Sequence, residues 1–261
     1  QQGGTILNKF KKNRIEFVST IDGVADLYPV ENTYKNYYPK WIASAMHDYK
    51  QQKSNTKTPH KSTHLMQCPG IFEMFKQGYI VKAWFDFVIT TNKNRDGFDW
   101  RIPNDTLLDL ADADVITSHQ TQVNQFIPKR INQIDNIIKV MTPYHVIAPK
   151  NVKLLFMSLP YNDHFDFEST VGILDPQDCT ELNIQLDWFK NNDETFVKAG
   201  TPLMYMLPLT ENKIEMICRD ATEKEKKFFA KRKYVDYSHF GKPRNKIKNL
   251  YNKDLINEQK N

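Results

Sequence analysis

The residues with the clearest metal-like spacing are His164-Phe165-Asp166. On an extended strand, residues i and i+2 project from one face, so this imidazole and carboxylate would converge on a single ion. A third donor would complete a facial set for Fe2+, the arrangement of iron-dependent oxygenases. The histidines available for it are His145, upstream, and His239, well beyond the regular part of the chain. Asp163, Asp166 and Glu168 gather carboxylates beside His164 and could hold a hard cation such as Mg2+ or do acid–base work. The plainer reading is a solvated acidic loop, and it is the one adopted. Cys68 precedes Pro69-Gly70 at a candidate helix start, where a thiolate would be favoured. No oriented histidine can be read from the spacing, so a small packed cysteine is expected there. Cys68, Cys179 and Cys218 are odd in number and widely separated, which argues against a disulfide framework or a structural zinc site and fits a reduced setting.

Two other groups of residues read as contact surfaces. Tyr34, Tyr37, Tyr38 and Trp41 crowd into one short stretch. They would form a partner-binding surface or pack over an open end of the fold. The second group is the basic run that includes Phe228, Phe229, Lys231, Arg232 and Lys233. Residues 222–261 carry 12 Lys/Arg against 5 Asp/Glu, whereas residues 1–221 carry 24 against 26. The net charge of +5 therefore belongs to the carboxy-terminal extension, and a basic face spread across the fold is not expected. Cations interleaved with rings could grip single-stranded nucleic acid. Because the body is nearly neutral, an arm that docks on other protein chains is preferred, either in a homo-oligomer or in a larger assembly.

The elements that must position these residues are mostly strands. Alternating or continuous apolar runs mark residues 14–19, 79–91, 98–102, 152–158, 171–175, 182–188, 195–197, 203–207 and 214–218. Asp96-Gly97 is a hairpin signal. Helices are expected at 41–49, where Trp41, Ala45 and Tyr49 share a face, at 69–78, where Pro69 suits the first turn and Gly78 the stop, and at 223–233. The polar stretch 51–62, with His60, reads as an exposed loop. Short strands punctuated by turn residues predict a mainly β, antiparallel barrel or sandwich, β-clip-like or cupin-like, with a few short helices and a helical carboxy-terminal extension. The expected organisation is a compact β-rich domain over residues 1–221 and a basic arm over 222–261. No apolar run is long enough for a membrane span and no secretion signal is visible.

Gln67-Cys68-Pro69-Gly70-Ile71, Gly78-Tyr79-Ile80-Val81 and Trp84-Phe85-Asp86 are followed by Thr142-Pro143-Tyr144-His145, Ala148-Pro149-Lys150, Gly172-Ile173-Leu174-Asp175 and Ala199-Gly200-Thr201-Pro202-Leu203. In this order they resemble an uncharacterised family of bacterial and tailed-phage proteins, over about residues 62–219. The resemblance implies a phage origin, a place in the host cytoplasm or the virion, and no particular activity. The second group also resembles, more weakly, the β-clip fold of dUTPases, which implies that Asp175 would position an attacking water in a nucleotide hydrolase. The tyrosine expected soon after that aspartate is replaced by Pro176-Gln177-Asp178-Cys179, and the Arg-Ser phosphate motif has no counterpart near Leu159-Pro160-Tyr161-Asn162. The expected function is accordingly that of a phage-encoded binding or assembly protein, a virion component or host-directed accessory factor without a cofactor. A β-barrel enzyme using His164 and Asp166, or Asp175, is the alternative.

Overall fold

The computed structural model describes residues 14–33, 37, 39–55, 64–103, 115–119, 126–162 and 166–236. Their strands form three open sheets, and none closes into a barrel. In the first sheet, β14 (Glu215–Asp220), β1 (Arg14–Ser19), β7 (Ile138–Ile147), β11 (Glu181–Trp188) and β9 (Phe167–Ser169) lie in that order, and β6 (Ile116–Ser118) also pairs with β7. The second runs β10 (Gly172–Leu174), β8 (Lys153–Met157), β13 (Pro202–Leu209), β3 (Tyr79–Lys82) and β2 (Glu31–Asn32). The third is β12 (Glu194–Val197), β4 (Phe87–Thr91) and β5 (Phe98–Arg101).

Alternation in the sequence becomes sidedness in the sheets. β11 buries Leu182, Ile184, Leu186 and Trp188 and turns Glu181, Asn183, Gln185 and Asp187 outward. Ile15, Phe17, Val146 and Ile184 from the first sheet share one continuous core with Val81, Leu154, Met204 and Met206 from the second and Phe87 and Ile89 from the third. A sandwich results, because each sheet has one apolar face and burying it needs another layer. Among the described residues, no helix is long and apolar enough to cross a membrane.

Several elements differ from the sequence expectation, each for a local reason. The apolar run 79–91 is two strands in different sheets. The chain bends at 83–86, where the Asp86 carboxylate accepts from the Ala199 N–H (2.6 Å) and the Trp84 indole donates to the Met141 carbonyl (2.9 Å). The first and last strands of the first sheet, β1 and β14, pair in parallel, which a long connection permits and a hairpin does not. β7 is a central strand despite Pro143. Its ladder to β11 is irregular there, and Thr142 Oγ1 donates to the Leu182 carbonyl, supplying a donor that proline lacks.

Helix α1 (Val24–Leu27) follows β1. Helix α2 (Lys40–Asn55) extends past the expected 41–49 and absorbs the start of the expected loop, with Gln51 bonded to His47 (2.8 Å) and Gln52 to Asp48 (2.9 Å), each one turn back. The rest of that loop, with His60, lies outside the described residues. Helix α3 (Pro69–Gln77) starts on Pro69 as expected, but Cys68 at its N-cap is exposed, not packed. The N-cap position turns the thiol out of the apolar stripe that buries Ile71 and Phe75. The stop at Gly78 has a packing cause: a Cβ there would fall within the Tyr205 ring, whose hydroxyl donates to the Met74 carbonyl (2.6 Å).

Candidate functional site

The residues singled out for chemistry are held by separate partners. Asp175 caps the turn after β10: its carboxylate accepts from the Gln177 N–H (3.0 Å) and faces Lys153 Nζ (3.3 Å). Asp166 pairs with Lys190 (3.4 Å), and His164, expected beside it, lies outside the described residues, as do Asp163 and His239. His145 sits on the outer face of the first sheet, with Nδ1 3.0 Å from Thr180 Oγ1. No group of three or more His, Cys, Asp or Glu able to hold a metal forms among the described residues.

A carboxylate pair that the sequence reading did not single out lies on the same outer face. Asp187 and Glu168 are direct cross-strand neighbours on β11 and β9. Arg130 pairs with Glu168 (2.5 Å), while Gln133 Nε2 donates to Asp187 (2.8 Å). Burial pushes the Asp187 carboxyl above its ordinary range, and the nearby Arg130 cation opposes that rise.

The aromatic group divides. Tyr37 packs with Ile80, Leu159 and Tyr205, and Trp41 with Ile42, Ile71 and Phe75. The Trp41 indole also donates to the Tyr161 carbonyl (3.1 Å) and its ring meets Tyr161 edge-on. Tyr34 and Tyr38 lie outside the described residues.

The start of the basic arm is built firmly. Helix α4 (Glu223–Asp236) opens with a reciprocal cap: the Thr222 N–H donates to Glu225 Oε2 (2.9 Å), and the Glu225 N–H to Thr222 Oγ1 (3.3 Å). Phe229 is only 2 % exposed and packs with Val18, Ile147 and Ala221, its ring stacked on His145 at 4.0 Å. Phe228 is half-buried beside it and Lys231 is exposed. Arg232 and Lys233 belong to the helix, but their side chains are outside the described residues, as is everything from 237 on. Lys226 reaches back to Asp22 at 2.8 Å.

A ladder of alternating charge ties this helix to the far end of the sheet. Along β1 and β14 it runs Glu215, Arg14, Glu16, Arg219, Glu225, with closest contacts of 3.2, 3.7, 2.7 and 2.8 Å. Arg219 grips Glu225 through both Nη atoms. That contact, with the Thr222 bonds, holds the Glu225 carboxyl down at about 2 against the opposing effect of burial.

At the Glu215 end lies a cleft of about 940 Å3, between β2 and the end of α3 on one side and the β13–β14 turn on the other. Glu31, Glu211 and Glu215 line it together with Pro208, Ile214 and Met216. Lys82 pairs with the buried Glu31. Tyr79 forms part of the wall, and burial pushes its phenol up to about 12. A smaller cavity of about 130 Å3 is lined by Ser158, Tyr161, Glu168 and Ser169 among others. None of His145, Asp166 or Asp175 lines either one. The large cleft had no sequence signal, since its walls come from segments far apart in the chain. The T-x-x-E cap at 222–225 was there to be read.

Comparison of the chain with protein-family models, with curated proteins and with solved structures finds no match.

Proposed function

We propose that this is a phage-encoded protein that works by binding and assembly, in the virion or as a host-directed accessory factor in the host cytoplasm, with its basic carboxy-terminal arm as the contact element and other protein chains as partners. The observation that carries this reading is the fixed root of the arm. Phe229 is buried on the sheet, Thr222 and Glu225 cap the helix, and Arg219 is clamped between Glu16 and Glu225. A segment tethered to a rigid body is held at high effective concentration near whatever that body touches. The phage origin rests on the family resemblance. The groups considered for catalysis favour the same reading, since Asp175 is engaged as a turn cap and ion-pair partner, and Asp166 by Lys190.

A photoreactive residue in place of Phe240 in the full chain tests this in the producing cell. Protein–protein adducts that disappear when Lys246→Gln and Lys248→Gln are introduced are the expected result. Adducts to nucleic acid, or no adducts, would overturn it.

A further inference from the structure

We infer that the edge strand β10 is a self-association surface, separate from the arm, on which two copies of this chain pair antiparallel about a two-fold axis at Gly172. A strand at the end of a sheet presents unpaired backbone donors and acceptors, and proteins guard such edges with charge, proline, a bulge or a covering segment. Of the strands that end the three sheets, β14, β9, β2, β12 and β5 each carry a charged residue, while β10, Gly172-Ile173-Leu174, carries none. β14 is also covered at one end, where the N–H groups of Gly23 and Ala25 donate to the Asp220 carboxylate (2.6 and 3.3 Å). β9 is covered by Ser158, whose Oγ donates to the Ser169 carbonyl (3.2 Å). Beyond its ladder to β8, β10 has no backbone partner among the described residues.

The side chains make the same edge apolar. On its inner side Leu174 packs on the main core, and Gly172 lies against the Phe156 ring with no room for a Cβ. The outer side carries Ile173, 60 % exposed, and Val171, just before the strand, 68 % exposed. Two residues apart on an extended chain, they project to one face. Ile173 lies directly opposite Leu155, and Leu155 opposite Leu207, so an apolar row crosses three strands and stops at the edge. Leu207 in turn packs beside Ile80, Leu159 and Tyr205.

The residues of this edge complement themselves. Antiparallel pairing about Gly172 sets Val171 opposite the partner's Ile173, and Ile173 opposite the partner's Val171. Each exposed apolar side chain then gains an apolar cross-strand neighbour, and Gly172 at the axis brings no side chain of its own into the contact. No like charges meet, because the strand is neutral and the charges at its end, Lys153 and Asp175, pair with each other (3.3 Å). A strongly cationic or anionic partner finds no counter-charge here. A second copy offers the same patch with the same spacing, and an isologous contact of this kind closes on itself. It joins the second sheets of two copies into one, through a small and reversible interface.

Sedimentation of the full chain over a range of concentrations tests the assignment. The expected result is a monomer–dimer equilibrium that persists at high salt, since backbone bonds and apolar contacts carry it and screening leaves both in place. Ile173→Lys and Val171→Glu should each raise the dissociation constant by at least about tenfold. Both side chains are exposed, so the melting temperature of each variant should match that of the unaltered chain. Mixing the two variants should restore association, because the register sets the new cation opposite the new carboxylate. Amide exchange at residues 172–174 should slow as concentration rises. A full chain that stays monomeric at millimolar concentration, or a dimer indifferent to both substitutions, overturns the inference. A mixture that stays apart overturns the two-fold register at Gly172. A dimer that dissolves in salt and ignores changes in β10 would assign self-association to the arm and sink the edge assignment alone.

Discussion

Glu225 both caps α4 and pairs it with Arg219, and its chemistry gives a pH signature. Its carboxyl is depressed to about 2 in the folded chain, from an ordinary value of 4.5, first by the bonds from Arg219. A depressed acid contributes stability above its unfolded value and loses it as pH falls towards the folded one. The urea midpoint should therefore drop as pH is lowered from 4.5 towards 2, and Glu225→Gln should flatten that drop. At pH 7 the same substitution should cost about 2 kcal/mol, discounted for partial solvent screening of a charge-assisted pair. Asp187 gives the opposite sign. Burial raises its carboxyl, so Asp187→Asn, which can still accept from Gln133, should hold or raise stability at pH 7; a clear fall in the melting temperature would contradict this. The cap at Thr222 was legible because its two partners are three residues apart. The Arg219–Glu16 pair was not, because only the parallel pairing of the first and last strands brings those residues together.

At the scale of elements, close packing decides where strands and helices stop. Gly78 lies under the Tyr205 ring, and Gly78→Ala should cost about 1–3 kcal/mol through overpacking, seen as a lower melting temperature with unchanged secondary structure. Phe229→Ala removes the ring that joins α4 to Val18, Ile147 and His145. Truncations of that kind cost about 3–5 kcal/mol in a core. Here the loss should appear locally, as faster amide exchange and proteolysis in α4 while the sandwich core stays protected. The alternating runs at 182–188 and 203–207 announced β11 and β13 because each buries one face. Strand β7 escaped notice because Pro143 argues against a central strand, and only the irregular ladder opposite it, with Thr142 as substitute donor, makes room for one. Residues 79–91 read as one strand because the apolar run is continuous, while the bend that divides it is made by contacts with distant Ala199 and Met141.

For the whole molecule the sharpest question is where the body ends and the arm begins. Charge alone puts the division at 221/222, since the positive excess starts there. Packing puts α4 with the body: Phe229 belongs to a buried cluster with Val18 and Ile147, and Lys226 and Arg219 tie the helix to Asp22 and Glu16. The two divisions predict different truncations. A chain ending at Ala221 uncovers Val18 and Ile147 and leaves Glu16 and Arg219 without Glu225, so its melting temperature should fall by roughly 10 °C or more, as a loss of at least about 3–5 kcal/mol implies for a domain of this size. A chain ending at Asp236 keeps all of those contacts and should melt within about 2 °C of the full chain. It should nevertheless lose association with its protein partners, because the rest of the basic arm is gone. Equal melting temperatures for the two truncations would show that α4 contributes nothing to the body. Association retained by the chain ending at Asp236 would move the contact surface onto the sandwich itself.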